Sequence, residues 1–260
     1  MMDSTNRFSI MNKINERQYP RRIEVKHPNI HFVDNYRFQK KIREIRNTRI
    51  ITSKITKEIQ ICFLERESYN RLKYQILCLD LEVEAEHIGE LSIFRKRTNV
   101  FNNVIIYANL SGKLVDVLNF EQLQKRWKNV KKELLQKYDG NVFLNYLKET
   151  DTLLEKKETI LSYLSSKEMY GLYFNECWGI HYTDKPRFEG LEINVNFDKN
   201  ETNEELDYSK VHIIYKLETE QKIQNIQFHF IKSKLYEVIA EIAETEFNSK
   251  YSMVCLTPII

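Results

Sequence analysis

The sequence predicts an α+β fold: a large, curved antiparallel β-sheet with two or three helices inserted near its middle. Three observations predict it. Residues 49–63 and 69–83 alternate apolar and polar side chains with a period of two over long runs. One stretch, 120–138, repeats its apolar residues every three or four positions instead. The strand-like runs lie in blocks on either side of the helical part, not alternating with helices, which argues against a βαβ arrangement.

Taken in order, residues 1–22 are polar and without periodicity, which predicts a mobile basic arm ahead of a single domain, 23–260. In RIEVKHPNIHFV (22–33), Ile23 and Val25 alternate with charge until Pro28 interrupts, as in a short edge strand. Residues 36–46 are basic and ambiguous in type. RIITSKITKEIQICF (49–63) and YNRLKYQILCLDLEV (69–83) read as two long strands joined by a hairpin at ERESYN. Residues 84–97 space Ile88, Leu91 and Phe94 at three, a modest helix pattern weakened by Gly89.

Residues 102–110 and 113–118 are strands turning at Ser111-Gly112. Phe120, Leu123, Trp127, Val130, Leu134 and Tyr138 then line one face of a helix. Asn119 is its expected N-cap and Asp139-Gly140 its expected stop. A second helical stretch, 142–165, would take Asp151 as a cap and bury Leu153, Leu154, Ile160, Leu161 and Leu164. Residues 169–174 and 178–182 read as short aromatic strands, and 191–197, 211–217 and 223–230 as further strands. KLYEVIAEIAETEF (234–247) alternates through Tyr236, Val238, Ala240 and Ile242, which favours strand over its helix-like composition. Residues 253–256 close the sheet.

Composition bounds the function. The 260 residues are 42% hydrophobic and 30% charged, with six Gly and four Pro, enough to bury a core and too few breakers for long flexible linkers. Residues 1–50 hold twelve Lys/Arg against five Asp/Glu, whereas the net charge of the whole chain is only +3. A basic leading segment suits an acidic partner, either nucleic acid or an acidic protein surface. The N-terminus has no apolar signal core, and no run of apolar residues is long enough for a membrane span, so a cytoplasmic protein is expected. Cys62, Cys78, Cys177 and Cys255 are widely spaced and expected to be reduced, buried and inert.

Few residues point to chemistry. Gly112-Lys113 invites a phosphate-loop reading. A Walker A loop, however, needs an early Gly where Tyr107 stands and a hydroxyl where Leu114 stands, and the helix does not start at the Gly-Lys pair. Cys177 with His181, and His27 with His31, share a spacing of four that a zinc site or a nucleophile–base pair could use, but neither pattern is specific. Asp80 and Glu82 lie on one strand face as ordinary outward charges. The expectation is therefore no catalytic residue, no cofactor and no metal.

Two clusters are candidate partner-binding groups. One is basic: Arg17, Arg21, Arg22, Arg37, Lys40 and Lys41. Here residues 36–49, with Tyr36 and Phe38 among the cations, could also hold nucleic acid. The other is aromatic: Tyr170, Tyr173 and Trp178 within MYGLYFNECWGIHY, readable either as core or as an interface.

GKLVDVLNFEQLQKRWKNVKKELL (112–135) resembles a segment of uncharacterised bacterial proteins, in which a G-K-x5-N hairpin strand leads into a helix carrying a Trp. It is also distantly similar to lipoprotein-carrier-like proteins, and that resemblance implies a curved antiparallel sheet around a helix. Those carriers are exported, unlike the expectation drawn from this N-terminus. The first functional expectation is a non-catalytic subunit or adaptor of a larger bacterial assembly, such as a secretion or contractile injection apparatus. A carrier of an apolar ligand between sheet and helices, lined by 72–83 and 120–135, is the alternative, and nucleic-acid binding through 36–49 is a third.

Overall fold

The computed structural model describes residues 22–25, 32–46, 49–85, 91–182, 191–196, 210–218, 222–231, 234–244 and 247–258. Its centre is a ten-stranded, wholly antiparallel sheet built from two five-strand meanders. The first comprises β2 (Val33–Arg46), β3 (Arg49–Ser68), β4 (Arg71–Ala85), β5 (Asn103–Ala108) and β6 (Leu114–Val117). The second comprises β8 (Leu191–Asn196), β9 (Lys210–Glu218), β10 (Lys222–Ile231), β11 (Lys234–Glu244) and β12 (Phe247–Cys255). They join where β12 pairs with β2, so the last strand of the chain closes against the first of the sheet. A separate ribbon pairs β1 (Arg22–Val25) with β7 (Gly179–Tyr182).

The period-two pattern explains why the sheet has one apolar face. Tyr36 and Phe38 on β2 share that face with Ile59 and Ile61 on β3, and with Met253 and Cys255 on β12. All six are buried. The register shifts between Glu58 and Ile59, where Leu79 is the extra residue of a bulge, so apolar residues stay inward on both sides of the break. Burial also settles the basic stretch 36–46. Its alternation makes it a central strand, β2.

Among the described residues, four helices cover the apolar face: α1 (Leu91–Asn99), between β4 and β5, then α2 (Phe120–Leu135), α3 (Asn141–Leu153) and α4 (Lys157–Leu164) after β6. Leu123, Trp127 and Leu134 of α2 and Phe143 and Leu147 of α3 point into the core. None of these helices is long and apolar enough to cross a membrane.

Several local expectations are corrected. The helical stretch 142–165 breaks between α3 and α4, and Asp151 lies inside α3 rather than capping it. The helix begun at Phe120 ends at Leu135, so Gly140 stands at the N-cap position of α3 rather than stopping α2. Asn119 makes no side-chain cap bond. Its amide instead accepts from the Ile105 N–H at 2.9 Å and donates to the Asn103 carbonyl at 2.9 Å, fastening β5 to the start of α2. Residues 169–174 form turns, not a strand.

Candidate functional site

The aromatic segment is where the helical layer meets the second meander. Trp178 is fully buried; its rings lie 5.3 Å from Tyr173 and, edge-on, 5.3 Å from Phe230 of β10. Its indole N–H donates to the Tyr173 carbonyl at 3.0 Å, and its backbone N–H to the Ser111 carbonyl at 3.3 Å. Tyr173 meets Tyr36 edge-on at 5.5 Å, and the Tyr170 hydroxyl donates to the Phe101 carbonyl at 3.2 Å. Tyr170, Tyr173 and Trp178 are therefore core residues with no surface to offer a partner, which corrects the interface reading of this cluster. Burial also drives the Tyr170 and Tyr173 phenols well above their usual range.

Beside this cluster the two layers leave a cavity of about 410 Å³. Leu172 and Phe174 form its wall on the loop side, and Tyr215, Ile226 and Phe228 its floor on β9 and β10. Leu114 and Cys177 add to the apolar lining, and Lys113, Lys167, Asn175 and Glu176 supply polar groups. Gly171 allows the loop to fold this tightly, because a Cβ there would come within 2.0 Å of the Ser165 carbonyl oxygen. Glu176 is the only described non-glycine residue with positive φ, at 63°, and its carboxylate pairs with Lys113 at 3.2 Å. A left-handed non-glycine residue at a cavity rim is the kind of local strain that binding sites retain. This volume and mixture of lining, mostly apolar with a few convergent polar groups, suit a small molecule.

The loop that walls the cavity is tied to the middle of the sheet by two lysines on the apolar face. Lys40 Nζ lies 2.5 Å from Glu168 Oε1, and Lys57 Nζ donates to the Glu168 carbonyl at 3.2 Å. Both lysines are buried, and each ammonium lies over a ring, Lys40 at 5.7 Å from Tyr251 and Lys57 at 5.5 Å from Phe38. Desolvation lowers the Lys57 pKa to about 8, helped by the charge on Lys40 and opposed by Cys78 and Glu168. Lys40 is thus a structural tether, not the exposed partner-binding group its composition suggested.

The other candidate residues disperse. Arg37 is on the polar face, paired with Glu58 at 2.9 Å, and Lys41 is exposed on the same face. Tyr36 and Phe38 point the opposite way and are buried, so the exposed cations Arg37 and Lys41 are interleaved with them in sequence but separated from them by the sheet. That removes base stacking from the nucleic-acid reading. Arg22 belongs to β1 with its side chain outside the described residues, as are Arg17, Arg21, His27 and His31. His181 lies on β7, its side chain likewise outside, and no cluster of three or more His, Cys, Asp or Glu poised for a metal occurs among the described residues. None of the four cysteines is in a disulfide. Along 72–83 and 120–135, where the sequence places a ligand cavity, Leu72, Tyr74, Ile76 and Leu123 are fully buried.

Sequence reasoning passed over Lys57, Glu168 and Glu176. Only Lys57 left a signal: it stands in phase with Ile55, Ile59 and Ile61 on an apolar face, where a lysine must find a partner.

No protein-family model matches the chain, and no curated protein sequence matches it. Among solved structures, it is similar to DynF from the dynemicin biosynthesis pathway of Micromonospora chersina. That match has 5% identity and a TM-score of 0.22, over 90% of this chain and 84% of that one. At that score it bears on neither fold nor function.

Proposed function

We propose that this protein is a non-catalytic binding protein that carries a small, largely apolar molecule in the cavity between the sheet and the 165–177 loop. The cavity itself carries the reading: about 410 Å³, walled by Leu172, Phe174, Ile226 and Phe228, with Lys113, Lys167 and Glu176 as the charged residues of its lining. The ligand this chemistry fits is an amphiphile, its apolar body against β10 and its polar end beside Lys113 and Glu176. The carrier-like resemblance of residues 112–135 points the same way. The proposal includes a cytoplasmic setting, which cell fractionation tests.

Titration with the fluorescent apolar probe anilinonaphthalene sulfonate examines the cavity directly. Saturable binding is expected in the native protein, and Ile226→Trp, which fills the cavity from the floor, should abolish it while leaving the circular dichroism unchanged. Binding that survives Ile226→Trp at full strength would sink the reading. Organic extraction of freshly purified protein followed by mass spectrometry would then identify a natural ligand.

A second reading, a subunit or adaptor of a larger bacterial assembly, is favoured by a different observation. Val142 is 80% exposed at the tip of the helical layer, and Leu144 and Leu135 nearby are also exposed. Ile93, Phe94 and Phe143 line an apolar groove of about 350 Å³ beside Val142. Val142→Asp should release partners from the native protein in a pull-down if this tip docks one, and an unchanged set of partners would argue for the carrier alone.

A further inference from the structure

The polar face of the sheet, opposite the cavity, is hollowed into a trough of about 790 Å³. Glu84 on β4 and Ile223 on β10 both line it, although β3, β2, β12 and β11 lie between those two strands. The trough therefore runs across six neighbouring strands, from β4 to β10.

The register puts an unusual row of charges across this trough. Reading from strand to strand, Glu84 stands opposite Lys54, Lys54 opposite Lys41, Lys41 opposite Lys250 and Lys250 opposite Glu241. The outer two lysines are neutralised: Lys54 pairs with Glu84 at 2.6 Å and Lys250 with Glu241 at 2.6 Å. Lys41, between them, faces a lysine on each side, and like charges directly opposite one another destabilise a sheet. Two residues along β2, Arg43 extends from the same face between Thr52 and Asn248. Neither Lys41 nor Arg43 has a hydrogen bond or ion pair among the described residues. On the same face stand the hydroxyl and amide groups of Thr52, Asn225 and Asn248, with Ile223 and Ala243 toward the β10–β11 side, and no aromatic ring lines the trough.

From this we infer a second binding site: Lys41 and Arg43 at the floor of the polar trough receive the phosphate of a hydroxyl-rich phosphate monoester, such as a sugar phosphate or an inositol phosphate. Two uncompensated cations match a phosphate dianion, and a guanidinium beside an ammonium offers both a forked and a point-charge donor. Thr52, Asn225 and Asn248 suit the hydroxyls of the polyol, and the lack of a stacking ring disfavours a nucleobase. An unfavourable local arrangement retained at a concave surface is how a ligand's contribution is left open in the empty protein. This site is independent of the apolar cavity, and either can fail alone.

Calorimetry with glucose 6-phosphate, with glucose as the control at matched ionic strength, tests the free-ligand source. Co-sedimentation with phosphatidylcholine vesicles containing phosphatidylinositol 4-phosphate tests the lipid-headgroup source. Binding in either arm that falls at least tenfold in Lys41→Ser/Arg43→Ser supports the site and names its source. Binding in neither arm, or undiminished binding in the double variant, overturns it. Because removing Lys41 relieves repulsion, the double variant should melt no lower than the native protein without phosphate. A clear drop would make these residues structural and would also overturn the proposal.

Discussion

Gly112 lies directly beneath Trp178: a Cβ built on the glycine would come within 2.3 Å of the indole Cδ1, and φ at that position is +86°. The 109–113 loop is therefore held twice, from below by the Asn109 side chain, which accepts from the N–H groups of Ser111 and Lys113, and from above by the ring. Through Trp178 and Phe230 the loop connects the first meander to the second. The Gly-Lys pair that resembles a phosphate loop owes its glycine to this packing.

Gly112→Ala should accordingly destabilise the protein by roughly 2–5 kcal/mol, combining the left-handed backbone cost with overpacking against a fully buried ring. Lys113→Ala, one residue on, loses only an exposed ion pair and should stay within about 0.5 kcal/mol. Urea titration of the two variants measures the contrast.

Lys57 should make stability depend on alkaline pH. Its folded pKa of about 8 lies below the ordinary lysine value of 10.5, so between those values the unfolded chain binds the proton and the folded one does not. Stability contributed by this group therefore rises with pH across that window, and below about pH 8 the buried charge is a cost of the order of 3 kcal/mol. Lys57→Met removes that cost, so the variant should be the more stable at pH 7, with the difference shrinking toward pH 10.5. Comparing the two proteins cancels the cysteine and tyrosine ionisations they share, apart from Cys78, whose thiol faces Lys57. Equal slopes of unfolding free energy against pH would rule the effect out.

How much of this was legible in the sequence depends on the range of the interaction. Strands such as β3 and β4 declare themselves because each buries one face, and alternation records that locally. Closure of β12 on β2 pairs residues about two hundred positions apart, and no local pattern encodes it. Asn119 looked like a cap because Asn often caps, but the neighbouring β5 backbone competes for the same amide. Met169 to Phe174 looked like a strand because their aromatics are dense, whereas Gly171 folds them into a turn against Ser165. The cavity was invisible for the same reason: its two walls, the 165–177 loop and β9–β10, come together only in three dimensions.

Glu176 offers a test of strain at the cavity rim. Its φ of 63° would be relaxed by glycine but not by alanine, and both substitutions remove the same carboxylate, so comparing them isolates the backbone. Glu176→Gly should be more stable than Glu176→Ala by about 1 kcal/mol, because only the alanine variant keeps the left-handed strain. Thermal melts of the two variants distinguish them, and a gain in the alanine variant alone would show that φ is not the source.

Asp151 separates two roles that one residue could have played. Had it been a helix cap, serine would replace it at little cost. In the structure it sits within α3 and reaches across to α2, where Oδ1 accepts from the buried Trp127 indole N–H at 2.8 Å and Oδ2 meets Lys131 at 2.6 Å. What matters is then an acceptor at the full length of the side chain. Asp151→Asn preserves one and should cost less than about 1 kcal/mol, while Asp151→Ser and Asp151→Ala strand a buried donor and should cost about 1–3 kcal/mol. In the Trp127→Phe background the donor is gone, so the penalty for Asp151→Ala should fall by about 1 kcal/mol or more. A serine variant as stable as the native protein, or a penalty unchanged by Trp127→Phe, would mean that this side chain does not fasten α3 to α2.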